Sequence, residues 1–141
     1  MTRGTMVSWV TVLAGFLLIA PATLAHAASA GVVPGSRFDE GSQMCRELNF
    51  FNSSWVSEGA ALFKKTCKAC HYRGNDKGAR FLYSESFTPR AWNRIFAEKS
   101  PKCAQDGSWS GLDQEQLRKV NDYLYRNGYG TYDPNSAESC G

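Results

Sequence analysis

A single short pattern, Cys67-Lys68-Ala69-Cys70-His71, constrains this chain more than any other feature of it. Two cysteines three positions apart lie about one turn apart on a helix, so both thiols face the same side. The histidine that follows completes a C-x-x-C-H pattern. The fold must therefore hold two thiols and an imidazole around one site, which could attach a cofactor, exchange disulfides or bind a metal ion.

The first thirty residues are typical of a secretory signal peptide. Export helps to distinguish among cofactor attachment, disulfide exchange and metal binding. Arg3 precedes an apolar run over residues 6–20, and two A-x-A cleavage sites follow at residues 25–27 and 28–30. The apolar run is shorter than the roughly 20 residues that a membrane span needs. We predict that residues 1–30 are cleaved near residue 27 or 30. The mature chain is then exported to the periplasm, an oxidising compartment, without a stable membrane span.

In an exported chain the C-x-x-C-H pattern predicts covalent attachment of one haem c. The thiols of Cys67 and Cys70 add across the two vinyl groups, and His71 supplies an axial nitrogen to the iron. Disulfide exchange is less favoured, because residues 59–66 have a helical pattern, whereas a redox C-x-x-C follows a buried strand. Structural zinc needs four ligands, but the other cysteines are scattered and the second histidine, His26, is at the cleavage site.

The charge of the chain is small but unevenly distributed. A net charge of +3 is too weak to indicate nucleic-acid binding, and no basic cluster alternates with stacking aromatics. Residues 60–102 carry ten Lys/Arg and three Asp/Glu, net +7, whereas residues 31–59 and 103–141 carry −2 and −3. Such a basic segment would orient a redox protein with an acidic docking surface. The alternative is a solvated face without a partner.

Apolar periodicity and capping residues predict three or four helices and no strand. The first helix is expected to begin at Ser53 or Ser54 and to bury a stripe from Trp55 to Cys70. The second begins at Thr88-Pro89, a capping hydroxyl followed by proline, and runs to about residue 99.

The third helix is predicted to begin near Asp113, with Gln116 as its capping-box partner, and to end at Asn127-Gly128 in a left-handed cap. Its apolar stripe consists of residues 117, 120, 123 and 124. We therefore predict an all-α domain over residues 53–128. Residues 31–52 are an N-terminal extension, and residues 129–141 are a C-terminal tail.

Residues 53–128 resemble the class I c-type cytochromes. The resemblance rests on Gly59 and Phe63, eight and four positions before Cys67, on the C-x-x-C-H pattern, and on Leu112-Asp113-x-Glu115-x-Leu117 leading to Tyr123. It implies a small helical domain wrapped around one covalently bound haem. It also implies a crossing of the first and last helices at which Tyr123 packs on Gly59. The implied activity is electron transfer and not catalysis.

Two departures from the family concern the ligands of the iron. The family places a proline soon after the haem histidine, but none lies between His71 and Pro89, so the hydrogen-bond partner of the His71 ring is open. The family's second axial ligand is a methionine before the last helix, but no methionine follows Met44. The candidates for this position are Met44, Cys103, Lys99 or Lys102, water or an empty position.

The remaining cysteines leave the disulfide pattern open. After haem attachment, Cys45, Cys103 and Cys140 allow one disulfide and leave one thiol, in three possible pairings. A Cys103–Cys140 disulfide is favoured, since exported cysteines usually pair, and it would pin the tail across the last helix. This pairing competes directly with Cys103 as an iron ligand.

The expected function is therefore an exported monohaem c-type cytochrome that carries single electrons between redox partners. The alternative is a haem module with an open or cysteine-ligated iron, which binds a small ligand as a gas sensor does or serves as a subunit of a haem enzyme. A thiol–disulfide exchanger without haem is a third class.

Overall fold

The computed structural model of the chain describes residues 33–131. The predicted signal peptide, most of the predicted tail and Cys140 lie outside these residues. The described chain begins with an antiparallel hairpin of two strands, and all of its longer helices follow. In chain order the elements are β1 (Ser36–Asp39), β2 (Met44–Glu47), α1 (Phe50–Ser53), α2 (Glu58–Leu62), α3 (Pro89–Glu98), α4 (Lys102–Gln105) and α5 (Gln114–Arg126).

The prediction of an all-α, cytochrome c-type helical domain is wrong, because the described residues form a small mixed α/β fold. The hairpin pairs Ser36 with Glu47 and Asp39 with Met44, in the segment that we expected to be an extension. Its buried positions are polar: Arg37 and Asp39 are 2% and 6% exposed, while Phe38 and Met44 lie outward. A strand is predicted from apolar residues on its buried face, and the polar buried face of this hairpin carries no such signal.

The predicted beginnings of the two long helices are confirmed. The Thr88 side chain accepts a hydrogen bond from the Ala91 amide, with Pro89 at the first helical position of α3. In α5, Asp113 Oδ1 accepts from the Gln116 amide at 2.8 Å, and Gln116 Oε1 accepts from the Asp113 amide at 3.0 Å. Local capping chemistry was sufficient to locate these two starts.

The first predicted helix is broken, and its beginning was predicted too early. Residues 50–53 form the single turn α1, and α2 begins one turn later with Ser57 as its cap. Trp55, which we placed on the buried stripe, lies in the break and is 66% exposed. The serine-rich stretch offers several capping hydroxyls, so the sequence alone does not select among them.

The end of α5 also differs from its prediction. Asn127 has φ −107°, and its side-chain amide donates to the carbonyls of Tyr123 and Ser53 at 2.7 and 2.8 Å. Gly128 is needed for close approach, since a Cβ there would lie 2.8 Å from the Pro89 nitrogen. The left-handed helix end occurs instead at Lys99, where φ is 49° after α3.

The core is formed where α2 crosses α5 and α3 packs beside them. Phe63, Trp92, Val120 and Leu124 are buried against one another. The expected contact of Gly59 with the last helix is confirmed, because a Cβ on Gly59 would clash with the Lys119 carbonyl and lie 3.2 Å from the Tyr123 Cβ. Within residues 33–131 no helix is long and apolar enough to cross a membrane.

Candidate functional site

The three residues of the C-x-x-C-H pattern line one cavity in the side of the molecule. The cavity has an empty volume of about 910 Å³, including the part open to solvent. Beside Cys67, Cys70 and His71, its wall is mainly aromatic and aliphatic: Phe63, Leu82, Phe87, Trp92, Ile95, Phe96, Pro101, Trp109 and Leu124. The site thus combines two thiols and an imidazole with an apolar binding surface.

A π-helical turn ends at the first of the two cysteines, Cys67, and both cysteines line this cavity. Residues 63–67 form a π-helical turn that continues α2, and the Lys68 amide donates to the Phe63 carbonyl at 3.0 Å. The amides of Cys70 and His71 then both donate to the Cys67 carbonyl, at 3.2 and 2.9 Å. π-Turns within helices occur often at functional sites, because the extra residue redirects the side chains that follow.

The ring of His71 has a hydrogen-bond partner that the sequence left open. His71 Nδ1 lies 2.6 Å from the Arg80 carbonyl oxygen, and since a carbonyl only accepts, Nδ1 carries the proton and donates. The neutral ring then keeps its lone pair on Nε2, the nitrogen available to a metal. A carbonyl acceptor on the other nitrogen also raises the basicity of a histidine ligand.

Asn75 organises the loop that brings Arg80 back to His71. The Asn75 Oδ1 accepts from the amides of Lys77 and Ala79, at 3.1 and 3.0 Å. Its Nδ2 donates to the carbonyls of Tyr72 and Ala79, at 2.9 and 2.6 Å. The Leu82 amide completes the return by donating to the His71 carbonyl at 3.2 Å. The turn residues Gly74, Asn75 and Gly78 predict a loop at this position. They do not predict that the Arg80 carbonyl is the one that meets the His71 ring.

The environment of Cys67 does not favour disulfide exchange. Burial, followed by the neighbouring thiols of Cys103 and Cys70, raises the pKa of Cys67 to about 12. Exchange requires a thiolate, and redox C-x-x-C motifs lower the pKa of their attacking cysteine. A raised pKa at Cys67 works against this chemistry.

Cations and aromatic rings meet beside the cavity. The Lys68 Nζ donates to the Leu82 carbonyl at 2.8 Å and lies 4.0 Å from the centre of the Phe81 ring. The Arg73 guanidinium lies 5.1 Å from the centre of the same ring. Arg80, which lines the cavity, lies over the Phe87 ring at 5.2 Å. The basic segment seen in the sequence thus contributes at least one charge directly to the cavity and two beside it.

Two of the candidates for a second iron ligand, Cys103 and Met44, occupy different places. Cys103, in α4, lines the cavity together with His71. Met44 is the first residue of β2, is 60% exposed, and is not among the residues that line the cavity. None of the four described cysteines forms a disulfide with another described cysteine.

No protein family, curated protein or solved structure was found to match this chain. Between residues 33 and 131, no three His, Cys, Asp or Glu side chains are arranged to hold a metal ion by themselves. The donor set nevertheless fits haem c. Two thiols and an imidazole with a usable Nε2 line one apolar cavity that opens to solvent.

Proposed function

We propose that this chain is an exported electron carrier that holds one haem c covalently. When bound, the haem would supply a one-electron iron couple. Cys67 and Cys70 would hold it through thioether bonds, and His71 would supply a nitrogen ligand to the iron. The observation that carries the proposal is the placement of all three residues on one apolar cavity, with His71 Nδ1 already bonded to the Arg80 carbonyl.

The chain's own groups serve attachment and orientation and not acid–base catalysis. The carbonyl of Arg80 fixes the tautomer and the orientation of the His71 ring. Trp92, Ile95 and Phe96 of α3 supply part of the apolar lining against which the haem would pack. His71 is the one described histidine, and as an iron ligand it would not be available as a general base.

The proposal also includes the cellular location of the protein and the kind of redox partner that it meets. We infer cleavage near residue 27 or 30 and release into the periplasm, on the pattern of residues 1–30. The cations Lys68, Arg73 and Arg80 beside the cavity support docking of a redox protein through an acidic surface. N-terminal sequencing of the exported protein tests the cleavage site.

Expression of the full chain in a bacterium with a c-type cytochrome maturation system tests the attachment of haem. We expect one haem per chain that stays bound on a denaturing gel, gives a positive pyridine haemochrome and titrates reversibly with one electron. Cys67→Ser and Cys70→Ser should each change the number of thioether bonds, and the double variant should lose covalent haem. Cys45→Ser, on the exposed strand β2, is the matched control and should keep it.

The results can also reject the proposal. A wild-type chain that is exported and folded but carries no haem would refute it and favour the thiol-exchange class. A haem protein that binds carbon monoxide stoichiometrically and exchanges electrons with no redox protein would favour the ligand-binding alternative.

A further inference from the structure

The cavity contains one more side chain that binds iron well. Outside the C-x-x-C-H pattern, the described lining residues are apolar, hydroxyl-bearing or permanently cationic, except for Cys103. A serine or threonine hydroxyl is a weak ligand, and the guanidinium of Arg80 has no lone pair to give. The thiolate of Cys103 is a strong iron ligand.

The segment that carries Cys103 is fixed at both ends. At its beginning, the Ala104 amide donates to the Pro101 carbonyl and the Asp106 amide to the Lys102 carbonyl, both at 2.9 Å. At its far end, Trp109 stacks on Phe96 of α3, with ring centres 4.9 Å apart and planes inclined by 26°. Pro101, Ser108 and Trp109 line the cavity together with Cys103, so this segment contributes several residues to the lining.

The Cys103 thiol is also close to the attachment site. Cys103 lines the same cavity as Cys67, Cys70 and His71. A side chain from a different part of the chain therefore shares this cavity with the C-x-x-C-H residues. Met44 has no such position, because it lies on the exposed strand β2 outside the lining.

We propose that Cys103 is the second axial ligand of the iron in the haem that Cys67, Cys70 and His71 hold. This inference rests on the proposed haem function and specifies its iron site. The step forms one S–Fe bond and breaks the S–H bond of Cys103, and the proton leaves through the open mouth of the cavity. No oxidation or reduction is involved. Thiolate ligation lowers a haem potential relative to a thioether ligand.

Spectroscopy of the full-length holoprotein tests this proposal without any variant. X-ray absorption at the iron should detect one sulfur ligand besides nitrogen, and the ferric protein should give the low-spin electron paramagnetic resonance signal of a thiolate-ligated haem. Absence of sulfur at the iron would overturn the inference. A wild-type protein that carries no covalent haem would instead overturn the proposed function itself.

Variants then assign the sulfur to a residue. Cys103→Ser should lose the thiolate signal, raise the reduction potential and allow carbon monoxide to bind the ferrous iron. Met44→Leu and Cys45→Ser are the controls and should leave all three properties unchanged. A spectrum that changes with Met44→Leu but not with Cys103→Ser, or a Cys103–Cys140 disulfide found by mass spectrometry of the holoprotein, would contradict the assignment.

Discussion

The orientation of His71 depends on residues that follow it in the chain. Its ring donates to a carbonyl nine positions later, and the intervening loop is held by the Asn75 side chain. The C-x-x-C-H pattern singled out from the sequence alone three residues that line one cavity, Cys67, Cys70 and His71. It did not predict the acceptor, because any backbone carbonyl can serve and the choice depends on how the loop closes.

Asn75→Ala is expected to raise the reduction potential of the holoprotein. The substitution removes four hydrogen bonds of the loop, so the Arg80 carbonyl is held less firmly against the His71 ring. A weaker acceptor makes the imidazole a poorer electron donor to the iron, which favours the reduced state. Potentiometric titration with optical detection measures the shift, and unfolding in urea should show a loss of about 1–2 kcal/mol.

Asn52→Ala is the matched control for this prediction. Asn52 donates to the Glu47 carbonyl and belongs to the capping box of α1, outside the cavity lining. It should lower stability by a similar amount without moving the potential. Equal shifts in both variants would show that the loop has no specific effect on His71.

Among the elements, the β1–β2 hairpin shows why a fold class is difficult to predict from apolar patterns. Its attachment to α5 is ionic: Arg37 Nε donates to Asp122 Oδ1 at 2.6 Å, and Arg46 Nη2 donates to Asp122 Oδ2 at 2.6 Å. Asp122 lies 85 positions from Arg37 in the sequence and is 1% exposed. No local rule connects charged residues at that separation, whereas the caps of α3 and α5 need only neighbours three positions apart.

Asp122→Asn should detach the hairpin from α5. Removing this carboxylate leaves the Arg37 side chain, which is fully buried, with less compensating charge. Loss of one partner of a buried ion pair costs about 3–5 kcal/mol. We expect a loss of this size in the free energy of unfolding measured in urea. Hydrogen exchange should also become faster at the Leu48 amide, which donates to the Gly35 carbonyl beside the strands.

The variant Glu115→Gln tests the exposed Arg46–Glu115 ion pair separately from the buried pairs of Asp122. Glu115 accepts from Arg46 Nη2 at 2.9 Å, but about half of its side chain is exposed. Exposed pairs contribute about 0–1 kcal/mol, so this variant should unfold at nearly the same urea concentration as the wild type. If the two variants lose the same stability, the buried carboxylate is not what anchors the hairpin.

Over the whole molecule, the candidate site is assembled from segments that are far apart in the chain. The cavity is lined by the π-helical turn that follows α2, the loop to Leu82, α3, the segment around Cys103 and Leu124 of α5. The sequence singled out Cys67, Cys70 and His71, since they form one contiguous pattern. It could not place Cys103 inside the cavity or Met44 outside it, because both positions depend on the packing of the complete chain.

The distribution of charge over the molecule leads to a prediction about electron exchange. The cations beside the cavity should attract anionic redox reagents and repel cationic ones. The rate of oxidation of the reduced holoprotein by ferricyanide should therefore fall as salt is added. The rate with a cationic cobalt(III) complex should rise, since salt screens the repulsion. Stopped-flow absorbance measures both rates.

The variant Arg73→Gln tests whether the charge beside the cavity causes the salt dependence of the ferricyanide rate. The Arg73 guanidinium lies over Phe81 beside the cavity, so the substitution should slow ferricyanide severalfold at low salt and have little effect at high salt. Lys99→Gln removes the same charge from a separate depression, which Asp39 and Asn93 also line, and should change the rate less. Identical effects of the two variants would mean that only net charge matters. Electron exchange would then not be directed through the basic side of the cavity, and the proposed acidic docking surface of the partner would lose its support.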